Sequence, residues 1–283
     1  MNLRERILEK AKTYVAPNRK AYATLTLADR DELTDLFQVT AREVELTALE
    51  AEVVPRRYLR NMGSLGTAGQ IRLLQATALV IGAGGLGGTI AQLLARMGFG
   101  RLIIADGDSF SEDNLNRQAF SVEKNTGVQK VQAARQMISQ INAATEVEVF
   151  DGFVKEEELS ALLKGVDVAL DALDNMPSRF LLEKACKQKG IPLVHGAVAG
   201  FSGQVTVIYP EDIGFQAIYG NAQTAPEKGI EIELGNLAGI VSAVASLQVQ
   251  EAVKIITGIG RPLRNRLLFL DSLNGGAEMI SLK

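Results

Sequence analysis

The chain has 283 residues, 47% of them apolar, enough for one large domain or a domain with an extension, and for a sizeable core. A net charge of −3 and a pI of about 5.5 argue against nucleic acid or an anionic membrane as the main partner. One cysteine and one histidine exclude an internal disulfide framework and a cysteine-based zinc site, so no zinc is expected.

The first ten residues, Met1-Asn-Leu-Arg-Glu-Arg-Ile-Leu-Glu-Lys, are charged and helix-like, which predicts no secretory signal and a cytoplasmic protein. Residues 1–54 read as a charged helical extension. Thr26-Leu-Ala-Asp29 and Thr40-Ala-Arg-Glu43 are capping-box patterns, each starting a helix by pairing a hydroxyl and a carboxylate with backbone N–H groups. Leu33, Leu36, Phe37, Val44 and Leu49 supply an apolar face. A turn near Gln38 would suit a helix-turn-helix. Its second helix, however, carries Glu43, Glu45, Glu50 and Glu52 against Arg42 alone, a poor reader of phosphate, so a packed helical hairpin is the better reading.

Pro55-Arg-Arg-Tyr-Leu-Arg60 joins the extension to a main domain, residues 55–283. There, strand patterns near 77–82, 101–106, 146–150, 166–171 and 192–195 alternate with helix patterns near 87–97, 127–141, 156–163 and 177–189. Such alternation predicts a doubly wound, mostly parallel Rossmann-like α/β sheet. Residues 73–94 are uncharged, but their glycine cluster favours strand–turn–helix over a membrane span. Gly203 to Tyr209 reads as a further strand. A loop over about 210–235 follows, with Pro210, Gly214, Gly220, Pro226 and Gly229. Next come a long apolar helix from Leu237 to Ile256 and an antiparallel hairpin at 266–271 and 277–282.

The most specific feature is Ala78-Leu-Val-Ile-Gly82-Ala-Gly84-Gly85-Leu-Gly87-Gly88, followed by Leu102-Ile-Ile-Ala-Asp106-Gly-Asp108. A buried strand entering a glycine turn and a helix brings free N–H groups and a positive dipole end to a phosphate. An aspartate ending the second strand is placed to hold a ribose. Asp113-Asn114-Leu-Asn116-Arg117-Gln118, Gly127-Val-Gln-Lys130 and Asp171-Ala-Leu-Asp174-Asn175 come next. A nicotinamide enzyme has no evident need for Arg117, Lys130 and an extra aspartate around the phosphates. A triphosphate does, because cations neutralise its oxygens and a carboxylate helps hold magnesium.

In this order, and with Arg57-Tyr-Leu-Arg60 ahead of the domain, these residues resemble the MoeB/ThiF/HesA family, relatives of the adenylation domains of ubiquitin-activating enzymes. The resemblance implies an ATP-dependent adenylyltransferase. It would activate the C-terminal Gly-Gly carboxylate of a small ubiquitin-like sulfur-carrier protein, releasing pyrophosphate. It also implies a homodimer and Mg2+; with no cysteine in the 210–235 loop, the acyl-adenylate would pass directly to an external sulfur donor or amine. Carried over residue by residue, Gly82, Gly84, Gly85 and Gly87 shape the phosphate pocket and Asp106 holds the ribose. Asn114, Arg117 and Lys130 contact phosphates, and Asp108, Gln118 and Asn175 complete the nucleotide-binding set. Asp174 positions magnesium, with Asp171 a secondary candidate. Arg60 reaches the other subunit's site and is counted with Arg117, Lys130 and Asp174 as catalytic.

The chain departs from many relatives in lacking paired Cys-x-x-Cys motifs and a cysteine in the 210–235 loop. Cys186 reads as a small buried residue and His195 as a strand-end histidine near the cleft. Alternatives are adenylation of a peptide or a tRNA base, and a nucleotide-binding scaffold without transfer chemistry.

Overall fold

The computed structural model describes every residue except 18, 224, 226–228 and 283, so Pro226 of the long loop lies outside the described residues. The amino-terminal part runs α1 (Leu3–Lys10), β1 (Lys12–Val15), β2 (Ala21–Leu25), α2 (Leu27–Phe37), α3 (Ala41–Glu50) and β3 (Val53–Pro55). Both capping boxes form: Thr26 and Thr40 each accept from the backbone N–H three residues on, and Asp29 and Glu43 reach back. Gln38 ends α2 in a left-handed conformation. The three strands form a small sheet, β1 antiparallel and β2–β3 parallel, which sequence patterning missed because β1 is short and mostly exposed. Ile7, Leu25, Leu33, Val44, Ala48 and Val53 make the core of this part. Leu49, Val54 and Tyr58 join it to Met62, Leu74 and Ala144.

A helix not anticipated from the sequence, α4 (Met62–Gln75), leads into the main sheet; Gly66, at φ +63°, breaks its regularity. There follow β4 (Thr77–Ile81), α5 (Gly85–Met97), β5 (Arg101–Asp106), α6 (Lys130–Ile141), β6 (Glu146–Asp151), α7 (Glu156–Leu162), β7 (Val168–Asp171), α8 (Met176–Lys189), β8 (Leu193–Ala199) and β9 (Ser202–Ile208). The chain ends with α9 (Gln216–Tyr219), α10 (Glu231–Leu234), α11 (Ala238–Thr257), β10 (Arg266–Asp271) and β11 (Gly276–Ser281).

The eight-stranded sheet has the order β11-β10-β9-β8-β7-β4-β5-β6. Strands β8, β7, β4, β5 and β6 are parallel, and β9, β10 and β11 run antiparallel. Alternation along each strand feeds two apolar layers. Ala78, Val80, Leu102, Ile104 and Leu170 face α5, α6 and α11, whereas Leu79, Ile81, Ile103 and Ala169 face α7 and α8. From β4 the chain winds to β5 and β6 on one side, then returns to β7 on the other. The crevice between the carboxyl ends of β4 and β7 is therefore the topological switch point, where open α/β sheets bind ligands.

Residues 73–94 divide among α4, β4 and α5. Among the described residues, the one helix long and apolar enough to cross a membrane is α11. It packs against α4, α5, β8 and β9 and buries Val244, Ala245, Gln248 and Val249, as a core helix does.

Candidate active site

At the switch point β4 ends in Gly82, whose φ of +95° turns the chain; a Cβ there would lie 2.5 Å from the Ala172 carbonyl oxygen. Gly84 is the N-cap of α5 and no side chain caps the helix, so its first N–H groups face the crevice. A Cβ on Gly87 would overlap the Gly82 carbonyl oxygen, so this glycine lets α5 pack against the turn.

These elements border a cleft of about 630 Å³. It is lined by Gly82, Gly84, Gly85, Asp106, Asp108, Asn114, Arg117, Gln118, Lys130, Asp174 and Asn175, so eleven of the twelve residues expected around the nucleotide share one wall-to-wall space. Gly87 is the twelfth and packs behind the turn. Arg60 is exposed before α4 and, among the described residues, is not part of this chain's own cleft lining.

Asp106, at the end of β5, is fixed by two backbone donors. Its Oδ2 accepts from Ala83 N–H at 2.6 Å and its Oδ1 from Asp108 N–H at 2.7 Å. The glycine turn and the acidic strand end are thus held together, and each carboxylate oxygen keeps a further lone pair for a hydroxyl donor. Lys130 opens α6 with its side chain buried and its Nζ 3.0 Å from Asp108 Oδ2. Arg117 is held by the Asp113 carbonyl at 2.9 Å and Asn116 Oδ1 at 2.7 Å, with its stem over Gly85. Asn114 is buried and shapes the loop, accepting from Ser111 N–H at 3.2 Å. Gln118 is also buried, and its Oε1 has no hydrogen-bond partner among the described residues.

Across the cleft, Asp174 lies on the exposed turn after β7. Asn175 donates to its Oδ1 at 3.3 Å and, as N-cap of α8, accepts from Ser178 N–H at 3.0 Å. Among the described residues no group of three or more His, Cys, Asp or Glu is arranged to hold a metal. One carboxylate at the mouth of a phosphate site suits magnesium, which keeps most of its waters and binds through one or two carboxylates and phosphate oxygens.

Asp171 does not belong to this wall. It is fully buried, accepting from Leu173 N–H at 2.9 Å, lying 2.7 Å from His195 Nδ1 and 3.4 Å from Arg179 Nε, so its oxygens are spent inside the fold. His195 is likewise fully buried, not at the cleft, and burial pushes its pKa below the ordinary imidazole value. Cys186, on the buried face of α8, sits in the apolar layer; burial, with Asp171 and Glu183 nearby, pushes its thiol up to about 12, which disfavours the nucleophilic thiolate.

Sequence reasoning did not single out several cleft residues, Arg179 and Phe153 among them. Arg179 is buried, lines the cleft and donates to the Leu173 carbonyl at 2.7 Å. Its signal was its place four residues after the N-cap Asn175, since helical side chains lean back toward the amino terminus. Phe153, 73% exposed on the loop after β6, borders the cleft beside Gly107. Glu231, Ile232 and Asn236, from the segment crossing between β9 and α11, close the remaining side.

The ThiF family profile matches residues 58–283. The chain is 36% identical over 229 residues to the SAMP-activating enzyme E1 of Haloferax volcanii, covering 79% of this chain and 84% of that one. It is 31% identical over 235 residues to the sulfur carrier protein adenylyltransferase of Thermus thermophilus, covering 80% and 87%. Against adenylyltransferase and sulfurtransferase MOCS3-1 of Zea mays, 33% identity extends over 80% of this chain but only 49% of that protein. Among solved structures, PaaA superposes with a TM-score of 0.69 at 19% identity over 97% of this chain and 99% of that chain. E. coli MccB with ATP does so with a TM-score of 0.68 at 17% identity over 92% and 80%. The structural likeness establishes the fold, and it extends into the amino-terminal part. With the glycine turn, Asp106, Arg117 and Lys130 gathered at the switch point and the family profile spanning that same region, this chain belongs to the ThiF family and is an adenylyltransferase.

Proposed function

We propose that the chain uses ATP to activate the C-terminal Gly-Gly carboxylate of a small ubiquitin-like sulfur-carrier protein. The observation that carries this reading is the single cleft holding the glycine turn, Asp106, Arg117 and Lys130, in a chain whose near-full-length relatives are named for carrier activation. A carboxylate is already a nucleophile, so the site needs no general base. Its oxygen attacks the α-phosphorus, the bond to the bridging oxygen breaks, and pyrophosphate leaves from an acyl-adenylate. Positioning and charge neutralisation supply the acceleration.

Asp106 holds the ribose, the α5 amino terminus and glycine turn cradle phosphate, and Arg117 and Lys130 take up charge as it shifts to the leaving group. Asp174 would hold magnesium, which when bound would neutralise phosphate oxygens, and Asn175 completes the nucleotide-binding set. With Cys186 buried, the activated carrier passes to an external sulfur donor or amine. In this reading residues 55–283 form the adenylation domain and 1–54 an extension. The enzyme works as a cytoplasmic homodimer, and Arg60 of each protomer enters the partner's cleft.

The test is ATP–pyrophosphate exchange with magnesium and a candidate carrier. Exchange with the intact tail and none with a truncated one is expected. Exchange supported equally by both, or ATP binding without exchange across carriers ending in Gly-Gly, overturns the reading.

A further inference from the structure

Behind the cleft, a line of buried polar side chains connects the Asp174 turn to the segment that crosses over the site. Asp171 and His195 are Cα partners on the neighbouring parallel strands β7 and β8, so their side chains leave the sheet on the same face. His195 Nδ1 lies 2.7 Å from Asp171 Oδ2, and its Nε2 lies 2.8 Å from the Tyr219 hydroxyl at the end of α9. Gln204, from β9, donates its amide to the same hydroxyl. Phe215, fully buried at the start of α9, stands edge-on to His195 with centroids 4.8 Å apart, and its N–H donates to Glu183 Oε1 at 3.2 Å.

The proton arrangement is determined. A carboxylate only accepts, so His195 carries its hydrogen on Nδ1 and leaves Nε2 as an acceptor. Tyr219 therefore donates to Nε2 and accepts from Gln204, and burial pushes its hydroxyl pKa up to about 12, keeping that proton in place. On the other side, Asp171 also accepts from Leu173 N–H, while Arg179 holds the Leu173 carbonyl. One carboxylate thus fixes both the turn that presents Asp174 and the imidazole that holds α9.

Beyond α9, the described residues of the crossing segment next to α10 are weakly packed. Ile230, Ile232 and Leu234 are exposed, yet Glu231 and Ile232 border the cleft. At its far end the Gly235 carbonyl accepts from Gly200 N–H at 2.7 Å. The near end is tied through Tyr219.

We propose that His195 and Tyr219 are positioning residues that latch α9, from which the chain crosses to the cleft-bordering Glu231 and Ile232, and that Asp171 couples this latch to the turn carrying Asp174. Neither touches the reacting atoms. Their contribution falls on the incoming carboxylate substrate more than on ATP, because the residues assigned to the nucleotide all lie between Gly82 and Asn175, outside the crossing segment. That kinetic consequence rests on the function proposed above; the latch itself does not.

The test uses the full chain with Tyr219→Phe, which keeps the ring against Phe215 and removes only the hydroxyl. Amide hydrogen exchange over residues 215–221 should rise about five- to tenfold, the change that losing one buried hydrogen bond produces. Exchange in β4 and β5 should be unchanged. The ATP dissociation constant should stay within about twofold, while KM for the carboxylate substrate rises by about five- to tenfold and kcat changes less. Gln204→Leu, which strips the second partner from the same hydroxyl, should move 215–221 in the same direction. Unchanged amide exchange at 215–221 in Tyr219→Phe overturns the latch, and so does a uniform rise that includes β4 and β5. If the parent chain gives no pyrophosphate exchange, the proposed function fails, and amide exchange still decides the latch.

Discussion

Asp171, the last residue of β7, and Asp174, three residues on, differ sharply: one is fully buried against His195 and the other opens on the cleft. The sequence made both visible as strand-end acids. It could not separate them, because the distinction depends on which strand lies alongside. Asp174→Ala should lower ATP–pyrophosphate exchange by at least about a hundredfold while leaving the melting temperature nearly unchanged. Retained exchange would remove Asp174 from the catalytic set. His195 allows a second measurement at this scale, since the chain has no other histidine. Its neutral form is favoured by burial, only partly opposed by Asp171, with Arg179 adding to the effect; Tyr219 and Gln204 complete its surroundings. A folded pKa below the unfolded value of about 6.5 means that the unfolded chain binds more protons as pH drops. The stability His195 contributes is therefore present above about pH 6.5 and is lost below it, at no more than about 1.4 kcal/mol per pH unit. NMR of the lone imidazole near about pH 6 should find it neutral, where an ordinary histidine is mostly protonated. A normal titration midpoint would contradict the buried pair.

Elements whose pattern was local were legible. The strands and helices from β4 to α8 lie within a few residues of their expected places because apolar runs, glycine turns and caps mark them. The failures have local causes too: α4 carries Gly63, Gly66 and Gly69, which hide its helical character, and the small amino-terminal sheet uses strands of three to five residues. Within the glycine turn, the two glycines at the ends of one motif should respond differently. Open space surrounds a Cβ on Gly84, the nearest atom being Gln118 Nε2 at 3.8 Å, so Gly84→Ala should melt like the parent while weakening ATP binding by at least about tenfold. Gly87→Ala collides with the Gly82 carbonyl and should cost several kcal/mol, on the order of 3 or more, in denaturant unfolding. Equal behaviour of the two variants would refute the division between a binding glycine and a packing glycine.

At the scale of the whole molecule, the lining of the cleft was legible in the sequence as far as one winding of the chain supplies it, from Gly82 to Asn175. Residues brought from the 210–235 segment were not, since nothing in their spacing says which strand they will cross. The amino-terminal part is tied to the sheet domain by long-range contacts of the same kind. Arg42 donates to the Gly100 carbonyl at 3.3 Å and Arg57 to the Ile141 carbonyl at 3.4 Å. Buried Glu45 sits 3.3 Å from Arg30 and 3.5 Å from Arg57. Glu45→Ala leaves two guanidiniums facing a vacated buried site and should destabilise the chain by about 3 kcal/mol in denaturant titrations, with ATP affinity retained. A smaller loss would mean that this junction is held by its apolar contacts. The burial of Cys186, finally, shields the chain's one thiol from alkylating and persulfide-trapping reagents while the protein is folded. In a reconstituted mixture of enzyme, carrier and sulfur source, isotopically labelled sulfur that becomes covalently attached to protein would therefore mark some other component, so its route can be followed by intact mass without removing this chain from the reaction.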